Sequence, residues 1–256
     1  MPRHRQAPPL RSERWKKFRN DTAGPYPGDG SNGPDILEGA GILRSDIRSS
    51  IGGGTTATGV PMTLTLNIKD ISKGNTAFAN SAVYVWHCDA SGAYSMYSLG
   101  VENESYLRGV QIADSDGKVT FTSIFPACYP GRWPHIHFEV YSAAADITDS
   151  SKAISTSQVA LPQDISEAVY ALADYEGSTA NLSQLSLDSD NVFGDDGGAL
   201  QLASVTGDVT QGFQVELTVG VDTATAPTAG AAPAGGMGGS GSTPPEGGPG
   251  GTPPSN

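Results

Sequence analysis

From Met62 to Lys69 apolar and polar residues alternate without a break: Met62, Leu64, Leu66 and Ile68 against Thr63, Thr65, Asn67 and Lys69. Successive side chains on a strand point to opposite faces, so this period of two predicts a half-buried β-strand. Ala82–Cys88 is apolar on both faces and reads as a central strand. Leu107–Ile112 and Lys118–Ile124 flank Asp114-Ser115-Asp116-Gly117, a hairpin turn signal. Ile136–Tyr141 follows, with Ile136, Phe138 and Val140 toward the core and His135 and His137 on the other face. Ala153–Leu161, Leu200–Val205 and the alternation Phe213, Val215, Leu217, Val219 complete the strands, and Gly41–Arg48 reads as a short strand or turn. One helix is expected over Pro162–Glu176, capped by Asp164, with Ile165, Ala168, Val169 and Leu172 as its apolar stripe. Many strands, one short helix and long turn-rich loops predict an all-β fold, an antiparallel β-sandwich.

The two ends change the picture of the domain. Residues 1–20 read as a basic flexible arm, with seven Lys or Arg against one Glu up to Arg19, on a chain whose net charge is −12. Trp15 and Phe18 either anchor this arm or lie exposed. From Thr223 the chain is almost entirely Gly, Pro, Ala, Ser and Thr, which cannot build a core. The expected organisation is therefore arm 1–20, β-sandwich 21–222 and disordered tail 223–256. The acidic balance argues against nucleic acid as a partner, since phosphate binding needs Lys and Arg. No apolar stretch approaches the length of a membrane span, and the basic N-terminus lacks the apolar segment of a signal peptide. Two cysteines, Cys88 and Cys128, allow one disulfide or two buried thiols.

The chemistry concentrates in Pro126-Ala127-Cys128-Tyr129-Pro130-Gly131-Arg132-Trp133-Pro134-His135-Ile136-His137-Phe138. On a strand, His135 and His137 lie about 6.6 Å apart on one face, and two imidazoles so placed can converge on a metal ion. A bare His-x-His is read equally well as two ordinary strand histidines. Glu139 shares their strand face, so spacing leaves open a ferrous site of two histidines and one carboxylate. The cupin pattern also begins with His-x-His, but its later glutamate is missing. A zinc hydrolase using the two histidines and a β-sandwich binding module outside the cell are the remaining alternatives. His87, after Trp86 on the central strand, reads as structural.

Four residues carry a resemblance. Gly92-Ala93-Tyr94-Ser95 follows a strand bearing Val-Trp-His, and Pro126-x-x-Tyr129 precedes Arg132-x-x-His135-x-His137-Phe138. This combination resembles the intradiol ring-cleavage dioxygenases, the family of catechol 1,2-dioxygenase and the protocatechuate 3,4-dioxygenase β chain. The likeness covers roughly residues 21–220, and Thr22-x-Gly24-Pro25-Tyr26 resembles the family's N-terminal signature. The resemblance implies a non-haem Fe(III) held by Tyr94, Tyr129, His135 and His137. It implies a catechol-type substrate and O₂, with cleavage between the two hydroxyl-bearing carbons to a cis,cis-muconate. Tyr129 would take a substrate proton, Arg132 would stabilise developing negative charge, and Gln158 would work beside that arginine. Tyr97 and Trp133 are expected as pocket walls. The cysteines and the Gly/Pro-rich tail resemble the exported actinobacterial branch, which implies an extracellular protein. In two places the pattern departs from the family. Gly131 stands where the protocatechuate enzyme has an aromatic residue. The long helical N-terminal segment of the larger catechol enzymes is absent, which leaves a homodimer an open expectation.

Overall fold

The computed structural model describes residues 17–18 and 21–226. The alternation at 62–69 becomes β1 (Pro61–Asp70), which buries Met62, Leu64, Leu66 and Ile68 and leaves the intervening polar residues half-exposed. One edge of β1 pairs antiparallel with β2 (Thr76–Ala77) and β5 (Lys118–Ile124). The other edge runs parallel to β9 (Gly212–Val221), and β8 (Ser204–Asp208) closes this sheet antiparallel to β9. The second sheet has the order β4 (Arg108–Ile112), β3 (Ala82–Trp86), β6 (His135–Tyr141), β7 (Ala153–Ala160), antiparallel throughout. The inner faces of both sheets form one core, in which Phe121, Phe138, Val140 and Val219 are fully buried. Burying each such side chain stabilises the fold by about 1.5–3 kcal/mol. The protein is an all-β sandwich.

Several expectations need correction. The β1–β9 pair is parallel, not antiparallel. Between these strands the chain passes through the second sheet, and that long crossover lets it return in the same direction. The helix over 162–176 is shorter: α1 is Gln163–Tyr170, and Leu172 adopts an extended backbone with its side chain 37% exposed. Asp164 lies in the first turn, where its charge suits the helix dipole, but it does not cap; the N-cap is Pro162. A second short helix, α2 (Ser178–Leu182), follows, beyond the one helix expected. The closing strand read at 200–205 is displaced to β8, and Leu202 makes only an isolated bridge to Ala160.

Every residue of β3, β6 and β7 is buried. One face lies on the sandwich core, and the other lies under loops that include Gly24, which approaches His137, and Pro27, whose carbonyl accepts from the Tyr84 hydroxyl at 2.7 Å. His135 and His137 therefore sit in the interior, not on a half-exposed face. Phe18 is also buried: its N–H donates to Gly220 O at 3.0 Å and its ring meets Phe138 edge-on. Trp15, with the rest of residues 1–16, residues 19–20 and residues 227–256, lies outside the described residues.

Asp70 ties the end of β1 to the chain beyond β9. Its Oδ1 accepts from Ser72 N–H and Oγ–H, capping the single helical turn Ile71–Lys73, and its Oδ2 accepts from the Thr223 hydroxyl and faces Lys73 Nζ at 3.1 Å. Burial raises the carboxyl pKa, but the bonds from Ser72 and Thr223 and the Lys73 charge outweigh it and bring it from 3.8 to about 2. A carboxyl depressed by folding contributes stability that is present above its unfolded pKa and lost as pH falls through its folded one. Thermal unfolding followed against pH should show stability falling between pH 3.8 and about 2, and Asp70→Ala should flatten that part of the profile.

Candidate metal centre

Tyr94 is delivered by the turn that ends β3. Asp89 winds this turn: its Oδ1 accepts from Ser91 N–H, Ser91 Oγ–H and Ala93 N–H, and its Oδ2 accepts from the Tyr106 hydroxyl. Gly92 takes the left-handed φ of +86° that the turn requires. Arg108, fully buried at the start of β4, then holds the segment in place. Its guanidinium donates to Ser95 Oγ and O, to Tyr26 O, to Pro27 O and to the Tyr84 hydroxyl, all at 2.8–3.0 Å. The ring of Tyr26 packs on that of Tyr94 with centroids 4.8 Å apart. Tyr129 comes from the loop before β6. The Cys128 N–H donates to Ser178 Oγ and Asn181 Nδ2 donates to Cys128 O, so α2 clamps this loop.

His135 and His137 stand two residues apart on β6, and Trp86 of the neighbouring strand stacks flat on His137 at 4.9 Å. The four side chains meet. Tyr94 Oη lies 3.4 Å from Tyr129 Oη, Tyr129 Oη lies 3.1 Å from His135 Nε2, and His135 Nε2 lies 3.0 Å from His137 Nε2. Tyr94, His135 and His137 are at most 2% exposed, and Tyr129 is half-buried.

The protons in this cluster do not satisfy its lone pairs. The Trp133 carbonyl lies 2.5 Å from His135 Nδ1 and can only accept, so Nδ1 carries the proton and Nε2 is a bare lone pair. That single acceptor faces both the Tyr129 hydroxyl and His137 Nε2. Only one of them can donate to it. His137 Nδ1 is buried with no hydrogen-bond partner among the described residues. Two imidazole nitrogens and two phenol oxygens crowded this closely fit a cation better than they fit one another, because a cation accepts every lone pair at once. Among the described residues no three His, Cys, Asp or Glu side chains converge. Glu139 accepts instead from the Tyr141 hydroxyl and from Thr156 Oγ1, so it does not complete a site of two histidines and one carboxylate. The phenols are what the histidines meet.

Burial sets the charge of the cluster. It pushes the phenols of Tyr94 and Tyr129 up, and it pushes His135 down to about 3 and His137 well below the usual imidazole range, helped in both histidines by the Arg132 charge. Neutral imidazole is the ligating form, and a bound cation reverses the penalty on phenolate.

Arg132 and Gln158 lie beside the cluster. Arg132 Nη2 donates to Gln158 Oε1 at 2.6 Å, and Gln158 sits opposite His137 in the β6–β7 register. Arg132 also pairs with Asp190, Nε to Oδ2 at 3.0 Å. Burial raises the Asp190 pKa, but Arg132 and the N–H groups of Trp133 and Val192 outweigh it and hold the carboxyl below the usual range. The sequence reading did not single out Asp190, Arg108 or the Trp86 stack. Trp133 is 2% exposed, its indole N–H donates to Leu161 O, and it lines a separate cavity with Pro162 and Leu187. Tyr97 borders Tyr26 and bonds to Asn32 and Gly28. His87 uses both ring nitrogens, on Ser123 Oγ and Cys88 O, as a structural histidine does. Cys88 and Cys128 are buried free thiols.

The family model Dioxygenase_C, described as "Dioxygenase", matches residues 31–148, a span that contains Tyr94, Tyr129, His135 and His137. Among solved structures, an intradiol ring-cleavage dioxygenase from Tetranychus urticae is 22% identical with a TM-score of 0.58, covering 72% of this chain and 89% of that one. The dioxygenase domain of a dioxygenase–carbohydrate-binding protein fusion from the cellulolytic bacterium Streptomyces sp. SirexAA-E is 20% identical with a TM-score of 0.52, covering 81% and 99%. Catechol 1,2-dioxygenase from Pseudomonas arvilla C-1 is 21% identical with a TM-score of 0.50, covering 78% and 63%. These likenesses establish a shared fold. No curated protein matches this chain by sequence. The segment that holds the Tyr–His cluster thus matches a dioxygenase family model, and the chain carries it on a fold shared with solved ring-cleaving dioxygenases.

Proposed function

We propose that residues 21–222 form a non-haem iron(III) dioxygenase that cleaves catechol-type rings between the two hydroxyl-bearing carbons, giving cis,cis-muconate-type products. The observation that carries this reading is the convergence of Tyr94, Tyr129, His135 and His137 within a chain of contacts of 3.0–3.4 Å. Two phenolates and two imidazoles are a donor set suited to ferric iron, the phenolate oxygens favouring the higher charge. When bound, iron(III) would supply the Lewis acidity and redox capacity that let a catecholate react with O₂.

The chain's own residues would do the rest. Tyr94 is fully buried and held by the Asp89 turn and by Arg108, so it is the fixed phenol. Tyr129 is half-buried and sits on a loop, and its oxygen is the one free to take a proton from an incoming substrate hydroxyl. Arg132 presents a permanent positive charge next to the site, suited to the negative charge that a dianionic catecholate brings in and to its redistribution during ring opening. Gln158 orients that guanidinium through its Nη2. The loops over β6 exclude bulk water, which strengthens each of these interactions. The overall reaction adds both atoms of O₂ and no other atom to the substrate.

Turnover of catechol under isotopically labelled O₂, read by mass spectrometry of the product, tests this. The expected product carries both labelled oxygens on an opened ring. A product with one label or none, or an unopened ring, contradicts the reading.

A further inference from the structure

Arg132 is long, only 14% exposed, and placed by a loop that contains Pro130 and Gly131. What fixes its guanidinium is a carboxylate from a distant segment. Asp190 follows the single helical turn Leu187–Ser189, and its side chain is fully buried while Asp188, two residues earlier, is exposed. Asp190 Oδ2 accepts from Arg132 Nε at 3.0 Å and from Trp133 N–H at 2.7 Å. Its Oδ1 accepts from Val192 N–H at 2.8 Å and Phe193 N–H at 3.2 Å, with Arg132 Nη2 at 3.5 Å. The carboxylate is thus held by three backbone N–H groups and is rigid before it meets the arginine. Together with Gln158 on Nη2, it engages one edge of the guanidinium and leaves Nη1, which has no hydrogen-bond partner among the described residues.

We propose that Asp190 is a positioning residue for substrate binding, acting through Arg132: it locks Nε and Nη2 so that Nη1 is presented in a fixed orientation to the anionic oxygens of a bound catecholate. This rests on the ring-cleavage reading above. A guanidinium already ordered by a rigid carboxylate has less freedom to lose when substrate arrives, so binding is tighter than with a mobile arginine. A second consequence concerns the loop itself. The same carboxylate bonds to Trp133 N–H, two residues before His135, so the arginine and the start of β6 are set by one group.

The test is a double-mutant cycle read by catechol affinity, not turnover. Wild type, Arg132→Ala, Asp190→Asn and the double variant are loaded with iron and titrated with catechol without O₂, following the visible absorption. Having to order a long, rotamer-rich side chain on binding costs about 2- to 12-fold in affinity. The expected result is that Asp190→Asn weakens catechol binding by that order, and that the double variant binds no more weakly than Arg132→Ala alone. Losses that multiply, or an Asp190→Asn protein that binds like wild type, overturn the proposal while leaving the ring-cleavage reading intact. A wild-type protein that takes up iron but not catechol overturns that reading and this proposal together. Should Asp190→Asn not fold, Arg132→Ala titrated with millimolar guanidinium ion decides the matter. With Asp190 in place to receive the free cation, catechol affinity should recover; no recovery overturns the proposal.

Discussion

Replacing His135 by leucine should leave a folded chain that no longer retains iron. The leucine fills a similar volume in a strand whose every residue is buried, so the sandwich has no cavity to collapse. The substitution removes the bond to the Trp133 carbonyl at 2.5 Å and strands that acceptor. An unsatisfied buried acceptor costs about 1–3 kcal/mol, so the variant should melt earlier but cooperatively. The effect on metal is larger. His135 Nε2 is the centre of the cluster, in contact with both the Tyr129 oxygen and His137 Nε2. Without it, a cation would be left with two phenols and one imidazole. Iron measured after reconstitution and desalting should fall from about one per chain to near zero, since ligand loss removes affinity directly. A variant that holds iron at the wild-type ratio would show that the metal sits elsewhere.

Tyr129→Phe should cost turnover while the fold is kept. The ring contacts survive, edge-on to Tyr94 at 5.9 Å and to His135 at 5.6 Å. The lost hydroxyl contacts only Tyr94 and His135 among the described residues, at 3.4 and 3.1 Å, so stability should change by less than about 1 kcal/mol. Tyr129 is also the proposed acceptor of a substrate proton, a role worth about 10²–10⁴-fold. Oxygen uptake with catechol should therefore fall by at least about 10²-fold while Tyr94, the two histidines and the melting temperature are maintained. Wild-type turnover in this variant would remove Tyr129 from the chemistry.

Much of this arrangement is legible in the chain. The period of two at 62–69 places four apolar residues on one face of β1, as found, and the same period places His135 and His137 on one side of β6. What the period does not carry is direction or cover. The alternation of Phe213 to Val219 is the same whether β9 runs parallel or antiparallel to β1, because only the intervening crossover decides. Nor does it say that loops will bury the second face of β6. That depends on Gly24 and Pro27, distant in sequence and recognisable only as turn formers. Tyr94 and Tyr129 are separated by 35 residues, and no spacing rule joins them; the family resemblance did.

Two polar anchors were invisible for a related reason. Asp190 sits in an acidic, turn-rich stretch where Asp188 and Asp195 look the same in sequence, and it is the fold that brings it to Arg132 and to the N–H groups of Trp133, Val192 and Phe193. Arg108 opens a short strand, and its five bonds run to carbonyls and hydroxyls, not to a carboxylate that a charge pattern would reveal. The helix end at Tyr170 escaped as well, since Leu172 continues the apolar stripe although its backbone has already left the helix.

The most direct test of the central claim, that these four side chains form a ferric site for catechols, is the visible absorption spectrum of the iron-loaded protein before and after anaerobic addition of catechol. A tyrosinate-to-iron(III) charge-transfer band that moves to longer wavelength with catechol is the expected result. A featureless spectrum after iron reconstitution, unchanged by catechol, would contradict it.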